Sequence, residues 1–305
     1  MRGVSKALLG VTLWVAGCVG PEDNPTRVHD LRVLGVSVEP PELMAPSCAD
    51  TSSQARAVYA TPVRYTALLA DPAGAGRDLF YELFACAWPG DRNCSSEADR
   101  VKLVEGIATA GELSLDIVPG ALFLPDGKTP LLARVLELDT YKGLGGIRMP
   151  LVLRVRAGEE EIFAQKLMVF SCRFFADMKA NVTPQVPGLS LDGMGWTDVV
   201  ELSGAGPFEL SPDAFADRQE AYVVPSYQLE PVHLVESWKL SWHATLGSLS
   251  PGTTGGSDFG GQESRHRVEW SPGSNAGEQE VTFWTVVRDG RGGTSWLVRR
   301  AHYRP

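Results

Sequence analysis

The stretch VTFWTVVRDGRGGTSWLVRRAHY, residues 281–303, contains two apolar runs joined by a glycine-rich turn. The runs cover 281–287 and 295–303, and RDGRGG stands between them at 288–293. Asp-Gly and Gly-Gly pairs between apolar runs favour a β-hairpin, because tight hairpin turns need positive φ, which glycine adopts without strain. The stretch therefore predicts two adjacent antiparallel strands.

Similar short apolar segments, separated by turn residues, occur along the whole chain. Strands are predicted at 31–38, 63–70, 79–87, 113–117, 131–138, 151–156, 162–170, 220–224, 233–244 and 268–270. Residues 97–109 are predicted to form a short helix, and residues 140–145 a loop. Short strands with Gly- and Pro-containing turns between them are typical of β-sandwiches. The predicted fold class is therefore all-β.

The length of the chain predicts two domains. Apolar residues make up 44% of the sequence and charged residues 21%, as in globular proteins. A chain of 305 residues is too long for one typical sandwich. Residues 176–196 are rich in turn residues and lack periodicity, so we expect them to link an N-terminal β-sandwich at 28–175 to a second domain at 197–305.

The N-terminus has the composition of an export signal. Arg2 and Lys6 are basic, residues 7–17 are largely apolar and too few to span a bilayer, and Val15-Ala16-Gly17-Cys18 follows. This ending resembles the lipobox of bacterial lipoproteins. The resemblance implies a cleaved signal peptide at 1–17, acylation of Cys18 with three fatty chains such as palmitate, and a polar tether at 18–27.

The same resemblance predicts the location of the protein. Several acyl chains hold a protein firmly on a membrane, so we expect a lipid-anchored protein of the cell envelope. The residue after the cysteine is Val19 and not an aspartate, which by analogy with bacterial lipoproteins implies the outer membrane. An ordinary secretory signal that ends near a cysteine is the alternative.

Four further cysteines predict disulfides. Cys48, Cys86, Cys94 and Cys172 form an even set in a chain expected to be exported, and they allow three pairings. Cys86 and Cys94 flank the turn Pro89-Gly90-Asp91, so we favour Cys86–Cys94 together with Cys48–Cys172. A metal site at the first pair is less favoured, because no histidine lies nearby.

Charge and motifs limit the function. The formal net charge is −9, which disfavours a nucleic-acid partner. The chain has no nucleophile elbow, phosphate-binding glycine loop or zinc-ligand spacing, so it is predicted not to be an enzyme and to have no cofactor or metal. Asp213, Asp217 and Glu220 are weighed as a calcium site. His233, His243 and His266 are weighed as a metal site, although solvent-facing strand positions are favoured for them.

Tryptophan is concentrated in the second half, where six of the eight lie after residue 190. Trp238 and Trp242 share one face of a predicted strand. Tryptophan in sandwich strands commonly fills the space between the sheets, and this interpretation is favoured. The alternative is an exposed platform on which sugar rings stack, which would make the protein a carbohydrate-binding surface protein.

Two further motifs carry a family resemblance. Asp30-Leu31-Arg32-Val33-Leu34 with Glu39-Pro40-Pro41-Glu42, and the run 284–293 with Trp296, are similar to a group of Gram-negative surface lipoproteins. The resemblance covers most of the chain after residue 18 and implies an immunoglobulin-like C-terminal domain after an N-terminal β-sandwich. The motifs are structural and imply no catalytic residue. We therefore expect a non-enzymatic binding or structural module whose partner is an envelope protein or a glycan.

Overall fold

A computed structural model describes residues 24–197, 199–256, 266–274 and 276–305. The predicted signal peptide, Cys18 and the first part of the predicted tether lie outside the described residues. Within those ranges, no helix combines the length and the apolar character needed to cross a membrane.

The first sandwich packs a three-stranded sheet on a five-stranded one. Its strands are β1 (Arg32–Glu39), β2 (Glu42–Ala45), β3 (Val63–Ala70), β4 (Leu79–Cys86), β5 (Arg100–Ala108), β6 (Gly111–Ile117), β7 (Ile147–Ala157) and β8 (Glu160–Cys172). The sheet orders are β1-β3-β6 and β2-β8-β7-β4-β5, and only β2 and β8 pair in parallel. Alternate residues of β4 and β7, such as Leu83 and Leu153, are fully buried in the core between the sheets.

The second sandwich is formed by two five-stranded sheets. Its strands are β9 (Leu189–Leu191), β10 (Met194–Trp196), β11 (Val200–Ser203), β12 (Phe208–Pro212), β13 (Ala221–Pro225), β14 (Pro231–Val235), β15 (Lys239–Ala244), β16 (Ser248–Ser250), β17 (Thr253–Gly255), β18 (Val268–Ser271), β19 (Gln279–Arg288) and β20 (Thr294–Arg304). The sheet orders are β10-β9-β12-β18-β16 and β11-β20-β19-β15-β17, while β13 and β14 form a separate two-stranded hairpin. The all-β prediction is confirmed.

The hairpin predicted from residues 281–303 is β19 and β20. The strands pair in antiparallel register from Gln279 opposite Tyr303 to Arg288 opposite Thr294. In the turn, Gly290 has φ of 83° and Gly292 has φ of 119°, as the sequence requires. β11 pairs in parallel with the outer edge of β20, so this edge of the hairpin is covered.

Helices are short. They are α1 (Ser53–Arg56) and α2 (Leu131–Leu138), with 3₁₀ turns at Ala57–Ala60, Pro72–Gly74, Glu97–Asp99, Pro119–Ala121 and Ala216–Arg218. The strand predicted at 131–138 was wrong, because Leu131 and Val135 are buried one helical turn apart on the same face. The helix predicted at 97–109 was also wrong. Most of it is β5, whose backbone groups pair with β4.

The ends of the predicted tether and linker also differ from expectation. Thr26 is 5% exposed and bonds with the second sandwich, since its carbonyl accepts from the Ala244 N–H at 2.9 Å and its Oγ1 accepts from the Leu249 N–H at 3.0 Å. Residues 24–27 are therefore not a free tether. Within the predicted linker, Leu189 and Trp196 belong to strands of the second sandwich and are buried in its core.

The outer faces of the two sandwiches contact each other through an apolar patch. Leu34 and Leu68 from β1 and β3 pack against Trp284 and Val286 of β19. Trp296 of β20 lies against Gly35, where an added Cβ would be 3.1 Å from the ring, and its indole N–H donates to Glu112 at 2.6 Å. This contact places the turn of the β19–β20 hairpin beside the first sandwich.

Candidate functional site

The turn of the β19–β20 hairpin is held by one buried carboxylate. Asp289 is 3% exposed and accepts from the backbone N–H groups of Arg291 at 2.7 Å and Gly292 at 3.0 Å. It also accepts from the Asn181 side-chain amide at 2.7 Å, which joins the turn to the segment between the sandwiches. A side chain at Gly293 would overlap this carboxylate, so glycine is required there.

Arg291 projects from this turn into a cluster of acidic groups. Its guanidinium lies 3.1 Å from Glu220, 3.3 Å from Glu236 and 3.8 Å from Glu42, and 4.2 Å from the centre of the Tyr222 ring. Burial raises the pKa of Glu236, whose side chain is 1% exposed. Since Glu42 comes from the first sandwich, Arg291 connects the two sandwiches electrostatically.

Lys166 makes a second connection from β8. Its ammonium donates to the carbonyl of Gly292 and, at 2.9 Å, to the hydroxyl of Thr294, both in the second sandwich. Burial lowers the pKa of Lys166 to about 8. Arg288 completes the junction by donating to the carbonyl of Leu34 at 3.2 Å.

A groove runs along this junction between the first sandwich and the β13–β14 hairpin. One part is a cavity of about 440 Å³ beside Arg291, and the other is a cavity of about 710 Å³. The two parts have lining residues in common, namely Leu144, Gly145, Arg148, Leu167, Val224 and Pro225. Volumes of this size are typical of small-ligand sites, which often occur between domains.

We call the larger part the aromatic cleft, defined by Trp88, Asp139, Tyr141, Arg148 and Tyr227. Its three aromatic side chains are 56%, 56% and 73% exposed for Trp88, Tyr141 and Tyr227. Asp139 and Arg148 provide one acidic and one basic group at its wall. Large aromatic residues with this degree of exposure around one cavity indicate a binding surface.

Trp88 is held in place by a cross-linked loop. The loop is closed by the Cys86–Cys94 disulfide, and Gln165 of β8 donates to the Pro89 carbonyl at 3.2 Å. The indole lies against Gly90, where an added Cβ would be 2.6 Å from the ring. The absence of a side chain at Gly90 therefore allows the position that the indole adopts.

Tyr141 and Tyr227 bring the two sandwiches together at the cleft. Their ring centres are 6.0 Å apart with planes inclined at 46°. Tyr141 follows α2, where the Asp139 carboxylate accepts from the backbone N–H groups of Tyr141 at 3.2 Å and Gly143 at 2.6 Å. Tyr227 lies in the β13–β14 turn, and its interaction with Tyr141 raises its pKa.

The cysteines are paired as the sequence favoured. Cys48 bonds with Cys172 and Cys86 with Cys94, both in the first sandwich. The first bond joins the segment after β2 to the end of β8. Cys18, the predicted lipidation site, lies outside the described residues.

The favoured interpretation of Trp238 and Trp242 as core residues is confirmed, and the alternative of a glycan platform at these two residues is wrong. Both side chains are 1% exposed and belong to the core of the second sandwich. Their indole N–H groups donate to Glu236 at 2.8 Å and to Thr254 at 2.9 Å. Neither ring can therefore stack on a sugar without unfolding of this core.

The weighed metal ligands are not brought together either. Within the described ranges, no group of three or more His, Cys, Asp or Glu side chains could hold a metal ion. Asp213 accepts from the Ser190 hydroxyl at 2.9 Å, while Glu220 pairs with Arg291. His233 is exposed as expected, but His266 is fully buried and lies 3.2 Å from the Thr254 hydroxyl.

The aromatic cleft was missed at the sequence level. Its aromatic residues come from three loops that are far apart in the chain, so no local spacing connects them. The one available signal was Trp88, a tryptophan between two cysteines predicted to be bonded, next to a Pro-Gly-Asp turn.

No protein-family model matches the chain, and no curated protein matches it. Solved structures give distant matches. An Escherichia coli alpha-2-macroglobulin activated by porcine elastase is 8% identical with a TM-score of 0.27, over 93% of this chain and 22% of that chain. A chimeric titin Z1Z2-Z1Z2 tandem is 7% identical with a TM-score of 0.21, over 81% of this chain and 92% of that one.

A third match is Drosophila OTK, extracellular domains 3–5, which is 7% identical with a TM-score of 0.22 over 92% of this chain and 100% of that one. The chain spans about a fifth of the length of the alpha-2-macroglobulin. At these scores the matches carry no functional argument, and the all-β assignment above stands on the strand pairing of the chain itself.

Proposed function

We propose that this chain is a lipid-anchored protein of the bacterial cell envelope, located at the outer membrane, that acts as a non-enzymatic binding module built from two β-sandwich domains. The observation that carries the binding role is the aromatic cleft, whose exposed rings come from both sandwiches. A cavity of this size walled by exposed aromatic residues and a few polar groups is typical of a ligand site.

Several features support an envelope location. Both disulfides are of the kind that persists in oxidising compartments outside the cytosol. The leader ending in Val15-Ala16-Gly17-Cys18 supplies the anchor in this proposal. Cys18→Ala is expected to shift the protein from the detergent phase to the aqueous phase in detergent phase partitioning, or to block its processing. Retention of the variant in the detergent phase would contradict the anchor.

The contacts across the junction hold the two sandwiches in fixed positions, which suits a preformed binding surface. The acidic groups around Arg291 and the ammonium of Lys166 are engaged in contacts between the sandwiches. Binding through preformed surfaces benefits from such rigidity, because less conformational freedom is lost when the ligand binds. That the protein is not an enzyme stays a prediction, and hydrolase activity of the purified chain abolished by one substitution would contradict it.

Site-specific photo-crosslinking in intact cells tests the binding role. A photoreactive residue at Thr140, in the aromatic cleft, is expected to capture an envelope component. The same residue at Lys128, which is exposed and lines neither part of the groove, is the matched control. Capture at Thr140 that Trp88→Ala abolishes supports the proposal. Equal capture at both positions, or none at Thr140, would reject the cleft as the binding surface.

A further inference from the structure

We infer that the aromatic cleft binds a neutral oligosaccharide, with Trp88, Tyr141 and Tyr227 stacking on sugar rings; this inference rests on the proposed binding function. The ring positions are prepared before binding. Trp88 is held by the Cys86–Cys94 loop and lies against Gly90, and Tyr141 and Tyr227 contact each other. Stacking therefore requires little further ordering of the protein.

The charges at the wall of the cleft are balanced. Arg148 and Asp139 are its charged side chains, one of each sign, among the described lining residues. The whole chain carries a net charge of −9, which repels a polyanion. The single acidic and single basic side chain leave the wall of the cleft without a net charge, which suits a neutral ligand.

The hydrogen-bonding groups favour sugar hydroxyls over other neutral ligands. Asp139 uses two acceptor positions on the N–H groups of Tyr141 and Gly143, and a carboxylate has about four. Its remaining positions can accept from a ligand. A sugar hydroxyl donates and accepts, so it can satisfy both Asp139 and Arg148.

A proline-rich peptide is the main competitor, because such peptides also dock in aromatic-lined grooves. Proline has no backbone N–H and offers carbonyl acceptors only. A run of prolines could accept from Arg148 but could not donate to Asp139. The polar side chains at the wall, which also include Thr140 and Ser226, therefore match a polyhydroxyl ligand better.

The test uses the full chain purified in detergent and applied to an array of neutral hexopyranose oligosaccharides, with proline-rich peptides on the same array. The wild-type chain is expected to retain at least one oligosaccharide series. In titrations with the best-bound oligosaccharide, Trp88→Ala and Tyr227→Ala are expected to weaken binding at least about tenfold, equivalent to about 1.4 kcal/mol. Gly90→Ala is expected to weaken binding although every ring is retained, because it displaces the indole.

Phe123→Ala is the matched control. Phe123 is an aromatic residue that is 53% exposed and lines neither part of the groove, so its removal should leave binding unchanged. Hydrogen exchange of each variant checks that both sandwiches remain folded. Oligosaccharide binding that survives Trp88→Ala and Tyr227→Ala in folded protein overturns the inference.

The remaining outcomes separate this inference from the proposed function. If proline-rich peptides bind, Trp88→Ala abolishes that binding and no oligosaccharide is retained, then the ligand class is wrong and the binding function stands. A third outcome is that neither ligand is retained, while crosslinking at Thr140 captures an envelope protein only when Trp88 is present. The oligosaccharide inference is then wrong, and the binding function stands. If crosslinking at Thr140 also captures nothing, the oligosaccharide inference and the proposed binding function are both wrong.

Discussion

The first sandwich contains both disulfides, whereas the second contains none and fills its core with tryptophan. Four indoles in the second core are at most 1% exposed, namely Trp196, Trp238, Trp242 and Trp270. Each has a partner for its N–H, at 2.8 to 3.2 Å. The first core is made mainly of aliphatic residues. Two sandwiches in one chain are thus stabilised in different ways, by covalent cross-links and by large hydrogen-bonded aromatic side chains.

The largest expected effect is the removal of one indole from the second core. Trp270→Ala should cost about 4 kcal/mol, because it leaves a large cavity and removes the donor to the Leu246 carbonyl at 2.8 Å. Hydrogen exchange followed by mass spectrometry should show loss of protection in the second sandwich. Trp88→Ala, outside this core, is the control. An equal loss of protection in both sandwiches would contradict the view that they are stabilised separately.

Removing the Cys48–Cys172 disulfide should destabilise the first sandwich. Cys48 and Cys172 are 124 residues apart, and the double substitution to serine should cost about 3 kcal/mol, with a chain-entropy ceiling of about 5 kcal/mol. Protection should fall in the first sandwich. Cys86→Ser with Cys94→Ser, which opens a bond between residues 8 apart, should cost less. A larger effect from the shorter loop would contradict the entropic account.

Arg291→Met tests whether the two sandwiches melt together. The substitution leaves Glu236, 1% exposed, without its nearest cation, and the cost should be about 2 to 3 kcal/mol. Calorimetry should resolve two transitions further apart than in the wild-type chain. Adding Glu236→Gln should restore part of the stability, since it removes the unpaired buried charge and keeps an oxygen that can accept from the Trp238 indole N–H. No separation of the transitions would mean that the apolar patch alone couples the sandwiches.

The smallest expected effect is a dependence on pH in the second sandwich. Burial lowers the pKa of His243 in β15 to about 4, below the ordinary value of 6.5. The unfolded chain therefore binds a proton between pH 6.5 and 4 that the folded chain does not, and stability falls as the pH falls through this window. The loss between pH 7 and pH 5 should be about 2 kcal/mol. His243→Gln should reduce the slope of the free energy of unfolding against pH. An unchanged slope would mean that other groups cause the pH dependence.

The sequence predicted the parts of the fold that depend on local chemistry. The β19–β20 hairpin follows from apolar runs around Asp289-Gly290 and Gly292-Gly293, and the favoured cysteine pairing agrees with the structure. Short apolar runs were ambiguous. Residues 131–138 form a helix, and residues 100–108 form a strand because β4 offers an unpaired edge.

The candidate site could not be predicted because it depends on how the two sandwiches contact each other. Tyr227 lies near Tyr141 because Arg291 contacts Tyr222 of the β13–β14 hairpin and also pairs with Glu42 of the first sandwich. Trp238 and Trp242 have the same residue type as Trp88, but the sheets enclose them while the Cys86–Cys94 loop leaves Trp88 exposed. Burial of a particular tryptophan is decided by tertiary packing and not by composition.

The attachment of residues 24–28 to the second sandwich has a mechanical consequence. The backbone of this segment bonds with Ala244 at 2.8 and 2.9 Å before the chain enters β1. Tension applied from the N-terminal side therefore loads these bonds to β15 first and reaches β1 only after they break. Such tension would strain the second sandwich before the disulfide-linked first one.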